Sequence, residues 1–184
     1  MNYYYLVASL PALSLNNPPP FTPDGFQSIC REHLSNKDMK ALESLLSDDH
    51  NPDPLSDFIR EWQDMETQIR NAAARIRAGK LKKDVTPYLK DQNEFDGYID
   101  KLVSDAFSKA NPADRELTLD KFRWEQIEEM AGHDVFSGKA ILAYTLKLLL
   151  AERWAAMEKE NGRKNVDDII NKKPEDEDDN KENA

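Results

Sequence analysis

Apolar residues recur at helical spacing in three parts of the chain. The clearest series advances by alternating steps of three and four residues, and its members are Leu55, Phe58, Trp62, Met65, Ile69, Ala72 and Ile76. A regular seam of this kind predicts a helix that lies lengthwise against another helix. Two shorter series have similar spacing: one contains Phe95, Ile99, Leu102, Ala106 and Ala110, and the other contains Leu119, Phe122, Ile127 and Met130. Ordinary core packing explains all three series, so they predict a helical fold.

The stretch Ile141–Met157 is the most apolar part of the sequence. Apolar residues cover most of the circumference of the helix that it predicts, whereas a surface helix buries only one stripe. The stretch is too short to cross a membrane, and Lys147 and Arg153 interrupt it. We therefore expect either a central helix of the domain or a helix that is shared with a partner protein.

Capping residues and glycines mark the ends of the predicted helices. A capping side chain precedes proline four times, which is the favoured pairing of an N-cap with the first helical position. The four pairs are Thr22-Pro23, Asp53-Pro54, Thr86-Pro87 and Asn111-Pro112. Ser35 and Asp38 form a weak capping box ahead of a further apolar run. Gly79, Gly132 and Gly162 each follow an apolar run and predict helix ends.

These signals predict an all-α domain of about six helices over residues 1–171. The helices are expected near 23–34, 36–47, 54–78, 91–110, 112–131 and 136–161, with a weaker one at 165–171. Tyr3–Leu10 has the aromatic and apolar composition of a strand. Because no other segment offers a pairing strand, we expect an extended segment packed on the helices. Residues 172–184 form an acidic tail that is expected to be disordered, because it cannot bury apolar area.

The charge balance argues against a nucleic-acid-binding protein. The 184 residues carry 35 Asp and Glu against 25 Lys and Arg, a formal net charge of −10. Pro174–Ala184 contains six of the acids and only one basic residue, Lys181, so half of the net charge belongs to the tail. Nucleic-acid binding depends on many basic contacts to phosphate, which this balance does not favour.

The single cysteine and the first residues favour a cytoplasmic protein. Cys30 cannot form an internal disulfide or a cysteine metal cluster, which suits a reducing compartment. We expect it to be a small buried apolar residue. The opening MNYYYLVASLPALSL lacks the basic start of a secretory signal peptide, and Pro11 interrupts it.

No pattern in the sequence predicts catalysis, a cofactor or a metal site. The six glycines form no phosphate-binding loop, and no serine stands in the GxSxG pattern. One histidine lies among acids in a cluster that consists of His50, Asp48, Asp49 and Asp53. Capping in a solvated loop explains this cluster more simply than a metal or a general base. His133 is expected near a helix end, and Asp134 is expected to be the N-cap of the next helix.

The segment Arg70–Lys83 is unusually basic. It contains no acid and six basic residues, which are Arg70, Arg75, Arg77, Lys80, Lys82 and Lys83. Positive charge at a helix C-terminus complements the helix dipole and explains part of this run. The charge extends past Gly79, however, and the second interpretation of the run is a docking surface for an acidic partner or for anionic lipid headgroups. These six residues are the candidate partner-binding site.

Several segments resemble an uncharacterised bacterial family that carries a domain-of-unknown-function label. The resemblance lies in Tyr3–Pro11, Phe122–Trp124, Leu142–Lys147 and Glu152–Trp154. Members of that family are typically encoded among the subunits of a bacterial V-type (A/V-type) ATPase. A weaker resemblance points to the same complex. Ile141–Tyr144, with Lys147 and Glu152-Arg153, is similar to the closing helix of the V/A-type ATPase socket protein, which is designated C or d.

The helix from Trp62 to Arg77 is similar to the repeated helices of that socket protein, although this chain is much shorter. The socket protein is all-α and non-catalytic, and it joins the central stalk to the membrane rotor ring. The resemblance implies a cytoplasmic accessory or central-stalk component, peripheral to the inner membrane through its protein partners. Those partners would be rotor-ring and central-stalk subunits, and Arg70–Lys83 would be the natural contact to acidic loops. The alternative is a free-standing helical adaptor or assembly chaperone of another complex.

Overall fold

The computed structural model describes residues 3–47, 56–91 and 96–171, with side chains described as far as residue 159. These ranges contain helices and connecting loops but no strand, which confirms the all-α prediction. Seven α-helices follow one another along these ranges: α1 Tyr4–Ser9, α2 Pro23–His33, α3 Asn36–Leu46, α4 Asp57–Leu81, α5 Gly97–Ser108, α6 Pro112–Ala131 and α7 Gly138–Asn171. A short 3-10 helix, Thr86–Tyr88, lies between α4 and α5. The predicted tail, residues 172–184, lies outside the described residues.

Three of the predicted N-caps are confirmed. The Thr22 hydroxyl accepts from the Gly25 amide at 3.2 Å, the Ser35 hydroxyl from the Asp38 amide at 3.2 Å, and Asn111 Oδ1 from the Ala113 amide at 3.1 Å. Each cap provides an acceptor for an amide that the first helical turn leaves unpaired.

The starts of α4 and α5 differ from prediction. Ser56 caps α4, which begins at Asp57 and not at residue 54, and Asp53 lies outside the described residues. Thr86-Pro87 begins only the 3-10 helix, and α5 begins at Gly97 with Asp96 as its cap. The loop between α4 and α5 explains why no α-helix begins at Thr86, because the Asp84 carboxylate holds the Thr86 amide and hydroxyl in a local turn.

One of the three predicted glycine stops is confirmed. Gly132, at φ 69°, follows α6 and ends it. The stop at Gly79 is wrong, because α4 continues to Leu81 and ends where Lys82 adopts the left-handed conformation at φ 52°. The stop at Gly162 is also wrong, because α7 continues through that residue to Asn171. A single glycine costs a helix only about 1 kcal/mol, so the neighbouring turns override it.

The first residues form the short helix α1 and not the extended segment that their composition predicts. Without a neighbouring strand, the backbone groups of this segment find partners within a helical turn. The Tyr3 amide donates to the Phe136 carbonyl at 2.8 Å, and the Tyr3 hydroxyl donates to the Asp38 carboxylate. The predicted packing is confirmed, since Tyr3 and Leu6 are both buried in the core.

The core has two parts, and the predicted apolar series contribute to both. The first gathers α2, α3 and the middle of α7 around fully buried side chains, among them Phe26, Leu42, Phe58, Ile127, Ile141 and Leu148. The second joins α4, α5 and α6 through Met65, Ile69, Ala72, Ile99, Val103, Ala106, Leu119 and Phe122. Leu55 and Phe95 lie outside the described residues, and Ala110 is exposed beyond the end of α5.

Two individual sequence predictions about buried residues are also confirmed. Helix α7 contributes buried residues along Ile141–Ala151, so it is a central helix of the domain. Cys30 is buried as expected, and its burial raises the pKa of the thiol to about 12. The described part of the chain contains no helix long and apolar enough to pass through a lipid bilayer.

The connection from α4 to α5 returns along α4, so these two helices run parallel. The Asn71 side chain donates to the Lys90 carbonyl at 2.8 Å and accepts from the Lys90 amide at 2.9 Å, and the Asp96 amide donates to Gln68 at 3.0 Å. Helix α6 then runs antiparallel to α4, and α7 runs antiparallel to α6. The C-termini of α4 and α5 therefore lie at the same end of the bundle as the N-terminus of α6.

Replacing Gly138 with alanine is expected to lower the free energy of unfolding by about 1–3 kcal/mol. A Cβ at this position would lie 2.9 Å from Asp38 Oδ1. This carboxylate cannot easily move away, because the hydroxyls of Tyr3 and Ser35 both donate to it. Urea denaturation measures the change. Gly79→Ala is the matched control: a Cβ there meets nothing within 4 Å, and a gain of about 0.5–1 kcal/mol is expected. Equal effects of the two changes would contradict this packing.

Candidate partner-binding surfaces

The six predicted basic residues do not form a single surface. Successive residues rotate by about 100° around a helix, so the run along α4 points in several directions. Arg70 lies on a cleft bordered by α3, α6 and α7. Arg75 donates to Asp100 of α5 at 3.2 Å, and both side chains are half-buried. The other four residues stay together at the C-terminal end of α4, and they are Arg77, Lys80, Lys82 and Lys83.

A further arginine, Arg115, joins two of these four around the ring of Phe107. Arg77 and Arg115 lie with Cζ 5.5 and 5.9 Å from the centre of the Phe107 ring, and Lys80 lies with Nζ at 5.8 Å. Cations at this range are attracted to the ring. We call the cations at this place the basic end. They are Arg77, Lys80, Lys82, Lys83 and Arg115. Among the described residues, none of the five forms a salt bridge with a carboxylate.

The helix ends at this place account for part of the positive charge. The parallel helices α4 and α5 both end here, and their last carbonyls carry partial negative charge that favours cations. Arg115 also donates from Nε to the Lys109 carbonyl at 2.7 Å, just past the end of α5. Lys82 and Lys83 lie beyond the last turn of α4 and are exposed, so their charge is available to a partner.

A buried carboxylate, Asp120 of α6, binds three donors. It accepts from Arg123 Nη1 at 2.8 Å, from Trp154 Nε1 at 2.7 Å and from Arg153 Nη2, and it is 0% exposed. Arg123 in turn makes a bidentate contact with Glu66 of α4, with Nε to Oε1 at 2.5 Å and Nη2 to Oε2 at 3.2 Å. These contacts connect α4, α6 and α7 and fix their relative positions.

The positive charge of Arg123 is stable. Burial by itself would lower the pKa of Arg123, but the hydrogen bonds and negative charges of Glu66 and Asp120 raise it above its ordinary value. Arg123 therefore keeps its charge across the whole accessible pH range. It is a fixed structural cation that donates hydrogen bonds, and it does not act as a general acid or base.

Sequence reasoning did not predict this network. Two features of the sequence could have indicated it. The first is that Asp120 and Arg123 are an i, i+3 pair of opposite charge beside the apolar Leu119 and Phe122. In addition, two of the segments that carry the family resemblance, Phe122–Trp124 and Glu152–Trp154, contain both arginines. The structure shows that these two segments meet at one carboxylate.

The network forms one side of a cleft of about 390 Å³ bordered by α3, α4, α6 and α7. We call it the arginine cleft, and its lining residues include Leu45, Trp62, Glu66, Arg70, Arg123, Leu146, Leu149, Leu150 and Arg153. Arg123 is 11% exposed, whereas Arg153 is 43% exposed. The cleft thus combines apolar walls with guanidinium groups from three different helices.

The two histidine predictions have different outcomes. His50 and its acids Asp48, Asp49 and Asp53 lie outside the described residues. His133 lies near a helix end as predicted, because it directly follows Gly132, the C-cap of α6. Asp134 is not the N-cap of α7, because its carboxylate accepts from the Phe136 amide at 3.2 Å and so shapes the turn before the helix. The Ser137 hydroxyl caps α7 instead, by accepting from the Ala140 amide at 3.4 Å.

Among the described residues, no three His, Cys, Asp or Glu side chains are grouped so that they could hold a metal ion.

Comparison with known proteins identifies one family. The family model described as "Protein of unknown function (DUF2764)" matches residues 1–51 and 97–176. No curated protein and no solved structure matches the chain. The matched residues include Asp120, Arg123 and Arg153, whereas Arg70–Lys83 and Glu66 lie in the unmatched interval. The predicted resemblance to an uncharacterised family is confirmed, and the V-type ATPase association stays a prediction. The chain belongs to the DUF2764 family.

Proposed function

We propose that this chain is a non-catalytic helical component of a bacterial V-type ATPase, either a part of the central stalk similar to the C (or d) socket protein or an accessory factor. In this proposal it couples the stalk to the membrane rotor ring. It would lie in the cytoplasm and contact the inner membrane only through its protein partners. Its resemblance to the socket protein supports the choice of complex, and the basic end is the observation that carries the coupling role.

The basic end has the properties of a docking surface for an acidic partner. Four of its five cations are exposed at the tip of three packed helices. Complementary charges steer association and fix the orientation of two proteins. The underlying helices are held by the second core cluster and by the Asp120 network, so the surface can transmit force without deforming.

The opposite end of the bundle has a different chemistry. Tyr4 contacts Tyr5 and Phe136 with ring centres 5.6 and 4.9 Å apart, beside the turn between α6 and α7. Tyr5 is 86% exposed, and Val135 is 55% exposed. Exposed tyrosines are common in protein interfaces. A cationic end and an aromatic end about 30 Å apart, the length of α6, suit a component that lies between two partners.

Immunoprecipitation from native membranes tests the proposal. The wild-type chain should recover rotor and stalk subunits in fixed stoichiometry. A variant with Arg77, Lys80, Lys82 and Lys83 changed to Gln should keep its helical content and recover them at least about tenfold less, as loss of about 1.4 kcal/mol would give. A control that changes Lys37, Lys40, Lys101 and Lys139 to Gln removes the same charge from exposed positions elsewhere, and it should recover them normally.

The outcomes separate the two parts of the proposal. Failure of the wild-type chain to recover ATPase subunits would favour a free-standing adaptor or assembly chaperone. Normal recovery by the folded Gln variant would show that the basic end is not the docking surface.

A further inference from the structure

We propose that the acidic tail, residues 172–184, docks on the basic end of its own chain and competes there with the acidic partner. This regulation rests on the proposed function for the identity of the competitor. The contact between the tail and the basic end is a property of the isolated chain, so it can be measured without any partner.

The described acids near the basic end do not pair with it. Four acids belong to the same helix ends and the loop after α4, namely Asp84, Asp105, Asp114 and Glu116. Among the described residues, none of them forms a salt bridge with any of the five cations. The Asp84 carboxylate accepts instead from the amide and hydroxyl of Thr86. The described part of the chain therefore leaves five cations at one place without a direct carboxylate contact.

The acidic tail has the complementary charge. Its segment Glu175–Glu182 contains six acids and one basic residue, Lys181, within eight residues. Opposite charges that are grouped on both sides of a contact attract each other and fix its orientation. No other occupant of the basic end is attached to it by the chain itself.

Helix α7 ends near the level of the basic end. Lys147 pairs with Glu128 of α6 at 2.6 Å, and this pair sets the register of the antiparallel α6 and α7. Arg123 and Glu66 set the register of α6 and α4 in the same way. Counted along these helices, Lys83 lies level with about position 168 of α7. Because α7 ends at Asn171, the tail begins only about 5 Å beyond that level.

The tail is long enough to reach the basic end from there. Helices α4 and α7 both pack on α6, and packed helices lie about 8–10 Å apart, so their axes are separated by at most about 20 Å. Extended residues span about 3.3 Å each, and Asp179, eight residues beyond Asn171, can therefore reach about 26 Å. A tether of this length gives the tail an effective concentration of the order of millimolar at the basic end.

Binding of a labelled acidic peptide tests the competition. The probe is acetyl-Glu-Asp-Glu-Asp-Asp-Asn-Lys-Glu-amide, the sequence of Glu175–Glu182, followed by fluorescence anisotropy. In the full-length neutral-tail variant, Gln or Asn replaces Glu175, Asp176, Glu177, Asp178, Asp179 and Glu182. It should bind the probe at least about threefold more tightly than the wild type, because no tethered competitor covers the basic end. The variant with Arg77, Lys80, Lys82 and Lys83 changed to Gln should bind it at least about tenfold more weakly.

A matched control separates tail docking from net charge. It changes six exposed acids on α2, the first two turns of α4 and the last two turns of α6 to Asn or Gln, and they are Asp24, Glu32, Asp57, Glu61, Glu125 and Glu129. The control loses as much negative charge as the neutral-tail variant. It should bind the probe as the wild type does, because charges beyond about 10 Å are screened in 0.1 M salt.

A spin label on the tail tests the contact directly. Asn180→Cys provides the attachment point, because Cys30 is buried. The label should broaden the NMR signals of Lys82, Lys83 and Arg115 more on the acidic tail than on the neutral tail. The difference should vanish in 1 M salt, where the screening length falls to about 3 Å.

Four results would overturn the proposal. They are equal probe affinities of the wild type and the neutral-tail variant, an equal gain by the matched control, unchanged binding by the folded basic-end variant, and label effects that do not depend on the charge of the tail. Broadening seen only between a spin-labelled copy and a separate isotope-labelled copy would assign the tail to a second chain and would also overturn it. Failure to recover ATPase subunits would overturn the proposed function without changing these measurements, so the two proposals fail separately.

Discussion

Asp120→Ala is expected to lower the free energy of unfolding by about 3–5 kcal/mol. The carboxylate is fully buried and accepts from Arg123, Arg153 and Trp154. Removing it leaves the partly buried Arg123 with one carboxylate in place of two, and it leaves the Trp154 Nε1 without its acceptor. Breaking a buried pair by removing one member is costly, because the other charge stays in a medium of low polarity. Urea denaturation followed by circular dichroism measures the change.

Asp100→Ala is the matched control for this experiment. It also removes an aspartate that binds an arginine of another helix, but the Arg75 and Asp100 side chains are each 36% exposed. Ion pairs with this exposure contribute at most about 1 kcal/mol. Similar losses for the two variants would mean that Asp120 is not the link between α6 and α7. Asp120→Asn should fall between them, because the amide keeps the shape and one acceptor oxygen.

Leu148→Ala is expected to lower the free energy of unfolding by about 2–5 kcal/mol. Leu148 lies in the middle of α7, is fully buried and belongs to the first core cluster. Its removal loses the transfer free energy of the side chain and leaves a cavity that α2 and α3 can fill only in part. The same denaturation measurement gives the value.

The neighbouring residue provides the control for Leu148. Leu149 is only partly buried and lines the arginine cleft, so Leu149→Ala should cost about 1 kcal/mol. If both substitutions cost the same, α7 is not buried more deeply at Leu148 than at the cleft.

Local signals in the sequence were enough to predict much of the fold. The caps at Thr22, Ser35 and Asn111 act within three residues, so they can be recognised without knowing the tertiary structure. Predictions that depend on distant contacts were less accurate. The loop that follows α4 is fixed by hydrogen bonds between Lys90 and Asn71, and α1 is held by Phe136 and Asp38. Neither contact can be read from the neighbouring residues.

The candidate sites show the same difference between local sequence signals, which could be recognised, and contacts between distant residues, which could not. The basic run Arg70–Lys83 is obvious in the sequence, but helical rotation sends Arg70 and Arg75 away from the basic end, and Arg115 joins it from α6. The Asp120 network was missed because a lone aspartate in a helix usually faces solvent. Two of the three partners of Asp120, Arg153 and Trp154, lie 33 and 34 residues further along the chain, and only the packing of α6 on α7 brings them to this carboxylate.

The measurement that tests the central claim most directly is a cryo-EM map of the native V-type ATPase, purified from cells that express this chain. Our account predicts helical density for this chain between the central stalk and the rotor ring, with Arg77, Lys80, Lys82 and Lys83 against an acidic surface. A complete map in which known subunits account for all density between stalk and ring, with this chain absent, would contradict it.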